Sequence, residues 1–284
     1  MRALPLLLAF AAALALAPML LTVLREGGHT RPNYRGRALP FPLGLLTPAA
    51  ALLALVPVLL IERLAPTDVL YPESLPVVLY AIGVIALGLI DDTLGRDRAP
   101  AAPGTPAKRG WRGHGAAVLR GEFSTGALKA VGSLGLALLA MSYLDLSNGR
   151  WLLATGVLVL ATNLFNLLDL RPGRTGKAFV LLGAGLTVGA GELRPLWALG
   201  LFAGPALVAG FYDLRERAML GDTGANLLGA LAGLWLVLSL SGTGQLIALL
   251  VLAAITVYGE LRSISALVER TPGLRELDSW GRPS

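Results

Sequence analysis

Long apolar blocks, separated by short polar or glycine- and proline-rich breaks, run through almost the whole chain. A helix needs roughly 20 apolar residues to cross the hydrocarbon core of a bilayer. Blocks approaching or reaching that length fall at about residues 3 to 24, 43 to 64, 74 to 91, 127 to 145, 151 to 168, 178 to 191, 195 to 212, 225 to 241 and 244 to 261. The sixth is the shortest. The pattern predicts an all-α fold, a polytopic integral membrane helical bundle of about nine transmembrane helices. Spans use up nearly all of residues 1–284, so they read as a single integral membrane domain. Beyond residue 261, charges alternate with Ile264, Leu267, Val268, Leu274 and Leu277, and Pro272 interrupts the run. Residues 262–284 are therefore expected to form an amphipathic tail lying on the cytoplasmic surface. The first block follows Arg2 and contains Ala-Leu-Ala, which also suits a cleaved signal peptide; its length favours a retained span.

Composition agrees with the pattern. Of the 284 residues 55% are hydrophobic and 15% charged, and the mean hydropathy of +0.67 is too high for an ordinary soluble domain. There are no cysteines and only two histidines, His29 and His114, which removes a disulfide framework and makes a histidine-rich zinc centre a poor reading. If the N-terminus lies outside, every Lys and Arg except Arg2, Arg63, Arg150 and Arg194 falls in an inward loop, just inside a span or in the tail. That asymmetry is what the positive-inside rule expects in a bacterial-type inner membrane. The net charge of +6 therefore calls for no nucleic-acid partner. The cluster Lys108-Arg109-Gly110-Trp111-Arg112 is read as a topology signal and a contact for anionic headgroups.

The same topology brings every polar motif to the cytoplasmic face. Asp91 and Asp92 end the third span. Two adjacent carboxylates at a helix C-terminus repel each other and meet the negative end of the helix dipole, so they call for a positive partner. A hydrated Mg²⁺, held by one or two carboxylates and substrate phosphates, meets that need; solvated charges marking the membrane boundary, with Arg96 and Arg98 nearby, are the alternative. Asn163, Asn166 and Asp169 recur every third residue and form a polar stripe on the fifth span. Interhelical hydrogen bonding explains such a stripe as well as a ligand does. Gly221-Asp222-Thr223-Gly224 opens the eighth span, where Asp222 or Thr223 is either a helix cap or part of a metal-phosphate site. Lys129, just inside the fourth span, either snorkels to headgroups or neutralises a phosphate. Asn33 and Arg35 add polar and basic groups from the first loop. Arg171-Pro-Gly-Arg-Thr-Gly-Lys177 is no Walker A motif, since the glycine spacing is wrong and Ala178 follows the lysine.

Taken in order, Arg31-Pro-Asn-Tyr-Arg-Gly36 with Pro40 and Gly44, Asp91-Asp-Thr-Leu-Gly95, Thr125-Gly-Ala-Leu-Lys129, Asn163-Leu-Phe-Asn-Leu-Leu-Asp169 and Gly221-Asp-Thr-Gly-Ala-Asn226 resemble the polyprenyl-phosphate N-acetylhexosamine-1-phosphate transferases. This is glycosyltransferase family 4, which includes the phospho-N-acetylmuramoyl-pentapeptide translocase. The resemblance spans roughly residues 25 to 260. It implies a Mg²⁺-dependent enzyme of cell-envelope synthesis in which a polyprenyl phosphate attacks the β-phosphate of a UDP-sugar and releases UMP. Carried over by motif, Asp91 and Asp92 match the paired carboxylates given base or metal roles, Asp222 a metal ligand and Asp169 an essential acid. Asn163, Asn166 and Lys129 match substrate-binding positions, with Asn33, Arg35 and Gly221 placed beside them. A homodimer is left open.

The chain also departs from that pattern. Asp169 is followed by Leu170-Arg171-Pro172-Gly173-Arg174, where the family carries Gly and a second Asp-Gly, and no histidine follows His114. Both changes fall on parts that the family uses for the nucleotide and the sugar. An alternative is thus a weak or inactive member that binds lipid phosphate or a partner. A transporter is disfavoured because few ionisable groups lie mid-span.

Overall fold

The structure, a computed structural model, describes residues 1–65, 67–95 and 124–283. The basic cluster Lys108–Arg112, His114, Arg96 and Arg98 lie outside these. Among the described residues, nine helices of 17 residues or more occupy the expected blocks: α1 (Leu4–Glu26), α2 (Leu46–Leu64), α3 (Ser74–Leu94), α4 (Thr125–Met141), α5 (Asn148–Leu168), α6 (Arg174–Ala190), α7 (Arg194–Leu214), α8 (Gly221–Ser239) and α9 (Gly242–Leu261). Seven are long and apolar enough to cross a membrane, α2 together with the short helical turn Leu43–Leu45 that leads into it; α4 and α6, at 17 residues each, fall short of that length. Between α1 and α2 lies a small antiparallel hairpin, β1 (Thr30–Pro32) and β2 (Ala38–Pro40), with Arg31 opposite Leu39. The tail folds into two short helices, α10 (Ile264–Arg270) and α11 (Leu274–Ser279), broken at Pro272 as expected.

Helix α8 is the axis of the bundle. It packs against α3, α5, α6 and α7, and 89% of its apolar window is buried although its hydropathy, 1.2, is the lowest of the seven. The outer helices α1 and α9 show the reverse, with hydropathies of 2.4 and 1.8 and only 22% and 17% buried. The trend has a physical cause. A helix facing lipid must be apolar all round, whereas one surrounded by protein gains from small residues that let backbones approach. Helix α8 is rich in such residues, including Gly224, Gly229 and Gly233. A Cβ at Gly229 would lie 2.7 Å from both Ala161 O and Thr162 Cα of α5. Beside that contact, Tyr80 of α3 and Thr162 of α5 share a 2.9 Å hydrogen bond between buried hydroxyls.

Polar ends and helix ends do not coincide. The apolar block of the eighth span begins at about residue 225, yet α8 begins at Gly221, so the whole Gly-Asp-Thr-Gly motif is its first turn. All the helix ends that carry the motifs, the C-termini of α3 and α5 and the N-termini of α4 and α8, gather at one end of the bundle beside the hairpin and tail.

Gly229→Ala is expected to lower the thermal midpoint in detergent, at a cost of about 1 to 3 kcal/mol from forced backbone displacement. Gly185→Ala, where a Cβ meets nothing within 4 Å, should leave it unchanged or raise it slightly. Differential scanning measurements on both variants check the claim.

Candidate functional site

The paired carboxylates of α3 diverge. Neighbouring residues on a helix point about 100° apart, and each finds its own positive partner. Asp91 accepts a 3.0 Å hydrogen bond from Lys129 Nζ, which also bonds to Asp222. The Lys129 side chain is only 17% exposed, so one ammonium from the first turns of α4 links the C-terminus of α3 to the N-terminus of α8.

Asp92, buried at 4% exposure, turns to α8. Its Oδ1 accepts from Asp222 N at 3.0 Å, and its Oδ2 accepts from Thr223 N at 2.9 Å and from Thr223 Oγ1 at 2.6 Å. The expected cap from Asp222 or Thr223 on their own helix is not what forms: no side chain of the N-cap residue bonds there, and the cap comes from another helix. The N–H groups of Asp222 and Thr223 are thus already occupied by a carboxylate, and Gly221 provides the space for it. Gly221 has φ 72°, and a Cβ on it would come within 2.7 Å of Asp92 Oδ2 and 2.8 Å of Phe41 and Pro42. Only glycine lets the carboxylate seat on the helix start.

The loop before α8 is fixed from the other side. Leu43 N donates to Met219 O at 2.8 Å, Gly44 N to Leu220 O at 2.9 Å and Met219 N to Pro40 O at 3.0 Å. From the hairpin, Arg31 donates to Asp92 O at 2.8 Å and stacks over Phe41 at 3.9 Å.

Other expected site residues take different places. Asn33 Oδ1 accepts from Arg35 N and Arg37 N at 2.9 and 3.0 Å, while its Nδ2 donates to Glu216 at 3.1 Å. Its amide is used in shaping the hairpin loop. Arg35 bonds to Tyr34 Oη at 2.6 Å and Pro283 O at 3.0 Å and lies 3.5 Å from Glu216. In the structure these two residues therefore organise the hairpin and tail. On α5, Thr162 makes the interhelical bond that the polar stripe was expected to supply, whereas Asn163 Nδ2 is buried without a hydrogen-bond partner among the described residues. Asn166 is half-buried further along the same face.

Asp169 caps the end of α5 and accepts from Thr175 Oγ1 at 3.2 Å. Burial, with the charges of Asp213 and Asp222 adding to it, pushes its carboxyl well above the ordinary carboxylate range. Asp213 was not anticipated. Buried at the end of α7, it accepts from Gly173 N at 2.7 Å and Leu220 N at 3.4 Å, tying the turn after Asp169 to the turn before Asp222. Like Asp91 and Asp92, it is a carboxylate at a helix C-terminus, with the same need for a donor or positive partner. Glu216 was also missed. It is buried, sits at φ 51° and receives Asn33 and Tyr34.

The basic turn that departs from the family pattern faces the tail. Arg174 holds Asp278 with two bonds, at 2.8 and 3.1 Å, and Ser265 at 3.0 Å. Arg171 holds Glu269 at 3.1 Å, and Lys177 donates to the carbonyls of Leu277, Asp278 and Trp280 at the end of α11. Burial opposes the Asp278 carboxylate, but the hydrogen bonds and charge of Arg174, with those of Arg282, outweigh it and hold the group below the usual range. The tail is docked onto the protein through its charged residues, and Leu267, Leu274 and Leu277 remain exposed.

No protein-family model matches the chain, and no curated protein matches it closely enough to count as a relative.

The raised pKa of Asp169 gives a test with a definite sign. Below the ordinary carboxylate pKa both folded and unfolded forms are protonated and the burial carries no ionic penalty. As pH rises, the unfolded form ionises first and stability falls until the folded pKa is reached. Asp169→Asn should therefore raise the thermal midpoint at pH 7.5 by about 2 °C or more, and the difference should shrink at pH 4. Melting curves at the two pH values decide it.

Proposed function

We propose that the protein is a phosphoglycosyl transferase that moves a sugar-1-phosphate from a UDP-sugar to a polyprenyl phosphate at the cytoplasmic face of a bacterial-type inner membrane. In this reading all nine long helices traverse the bilayer, α4 and α6 being the shortest. The observation that carries the proposal is the convergence of Asp91, Lys129 and Asp222, drawn from three helices to one end of the bundle.

The residues fit a divalent cation in one respect that can be read directly. Asp91 and Asp222 already share a single positive centre, the charge arrangement that a metal ion would need. Among the described residues no group of three His, Cys, Asp or Glu forms a ready-made metal site. Mg²⁺ does not require one, because it keeps several waters and is held by one or two carboxylates plus substrate phosphates. When bound, Mg²⁺ neutralises the donor diphosphate and stabilises the charge that develops on it.

The chain's own residues supply position and charge. An oxygen of the lipid phosphate attacks the β-phosphorus, the bond from that phosphorus to the oxygen bridging the α-phosphate breaks, and UMP leaves with the bonding pair. The product is a lipid diphosphate sugar. Asp91 and Asp222 would hold the cation, Lys129 would offer its ammonium to the diphosphate, and Asp92 fixes Asp222 by capping α8. Such a reaction relies on in-line placement and electrostatic stabilisation more than on covalent participation by the protein. Asn163 lies on the neighbouring helix α5 and Asp169 at its C-cap, and among the described residues the buried amide donor of Asn163 lacks a hydrogen-bond partner.

A second reading, a lipid-phosphate-binding protein without turnover, draws on one observation: the turn that the family gives to the nucleotide is here covered by Glu269 and Asp278 of the tail. One assay separates the two. Purified protein with Mg²⁺, undecaprenyl phosphate and a panel of UDP-sugars is expected to release UMP and form an organic-soluble sugar lipid. Absence of UMP from a folded sample with every donor would favour the second reading. Asp91→Asn and Asp222→Asn should each lower turnover by about a hundredfold or more while the protein remains inserted. Arg63→Gln, on the opposite side of the membrane in this topology, should not.

A further inference from the structure

We infer that Lys129 is an exchangeable counter-ion: its ammonium holds the place between Asp91 and Asp222 that a divalent cation takes, and it moves to the diphosphate when that cation binds. The inference rests on reading Asp91 and Asp222 as the metal-binding pair, and it adds a binding order and a coupling that the reading alone does not contain.

Three observations carry it. First, the bridge is complete: Nζ contacts Oδ2 of both carboxylates, and the three side chains are only 17%, 21% and 30% exposed. An ammonium and a dication cannot both sit against the same two oxygens in so sheltered a place, because like charges at such distances repel strongly where water is largely excluded. Second, the third carboxylate of the motif is committed elsewhere among the described residues. Asp92 directs both oxygens to the N-terminus of α8, and Lys129 bridges the other two. Third, the other cation that reaches this corner from the hairpin, Arg31, is fixed by Asp92 O and the Phe41 ring. Lys129 is the mobile charge, on a flexible four-carbon stem in the opening turns of α4.

Two consequences follow. Without metal the ammonium offsets one of the two carboxylate charges and bridges the pair, so the bundle end stays assembled. With metal, the released ammonium gains a phosphate oxygen that it lacked before. Metal and diphosphate therefore favour each other's binding, and by linkage the effect is reciprocal. The ligand class is a diphosphate ester accompanied by a divalent cation.

The test is a titration of Mn²⁺ into the purified full-length protein, followed by electron paramagnetic resonance, with wild type, Lys129→Met and Lys129→Arg. Lys129→Met is expected to bind Mn²⁺ about tenfold more tightly than wild type, because nothing competes for the carboxylates. Lys129→Arg should stay close to wild type. In EDTA, Lys129→Met should melt at a lower temperature than wild type, and Mg²⁺ should recover a larger part of its stability. If the Met variant is not recovered from the membrane, Lys129→Gln carries the same two measurements. Equal or weaker Mn²⁺ binding by the uncharged variant would overturn the exchange. Tighter binding in a protein that releases no UMP would leave the exchange standing and remove the transferase reading; UMP release without tighter binding would do the opposite.

Discussion

The N-terminus of α8 is buried among α3, the hairpin and the loop that follows α7, and the free N–H groups at a helix start must find acceptors wherever water is excluded. Asp92 provides them. Its carboxylate takes two main-chain donors and one hydroxyl from Asp222 and Thr223, and it lies at the positive end of the α8 dipole while leaving the negative end of its own helix. That one contact sets the position of the central helix against α3, and with it the place of Asp222. Once Asp222 is placed, Lys129 can span from it to Asp91, and the three helices are locked at the face where the chemistry is proposed to occur.

The constraint explains why glycines surround the junction. Gly221 keeps Cβ away from the carboxylate, and Gly44 meets Gly224 so closely that a Cβ would lie 2.3 Å from the Gly224 nitrogen. The same tight approach accounts for the modest hydropathy of α8. Its residues are chosen for contact between backbones, and the apolar bulk is left to helices that face lipid.

Much of this was legible beforehand. Apolar blocks locate all the long helices, and the gathering of Asp91, Lys129 and Asp222 at one end of the bundle follows from counting spans. What hydropathy does not encode is how polar groups partition among partners. Asp91 and Asp92 look equivalent in the chain, yet one faces an ammonium and the other a helix start, a distinction that depends on the rotation of α3. Asn33 and Arg35 resembled ligand-binding groups because polar residues in a loop carry no mark of what they touch; Glu216, five residues before the start of the motif at Gly221, pairs with both. Asp213 went unnoticed among the charges of a short loop, although its burial at a helix C-terminus gives it the same electrostatic need as the α3 pair. The arginines after Asp169 read as a change in donor recognition, but their partners are Glu269 and Asp278, more than ninety residues away for Arg171 and further still for Arg174.

We propose that Asp91 and Asp222 form one cation site at the end of the bundle, and the rest of the functional reading depends on it. Anomalous diffraction from crystals of the protein grown with Mn²⁺ and a UDP-sugar tests it most directly. A single strong Mn²⁺ peak is expected between these two carboxylates, with the Lys129 ammonium moved off them and onto a phosphate oxygen. A peak elsewhere in the molecule, or Lys129 still bridging Asp91 and Asp222 with nucleotide bound, would contradict it.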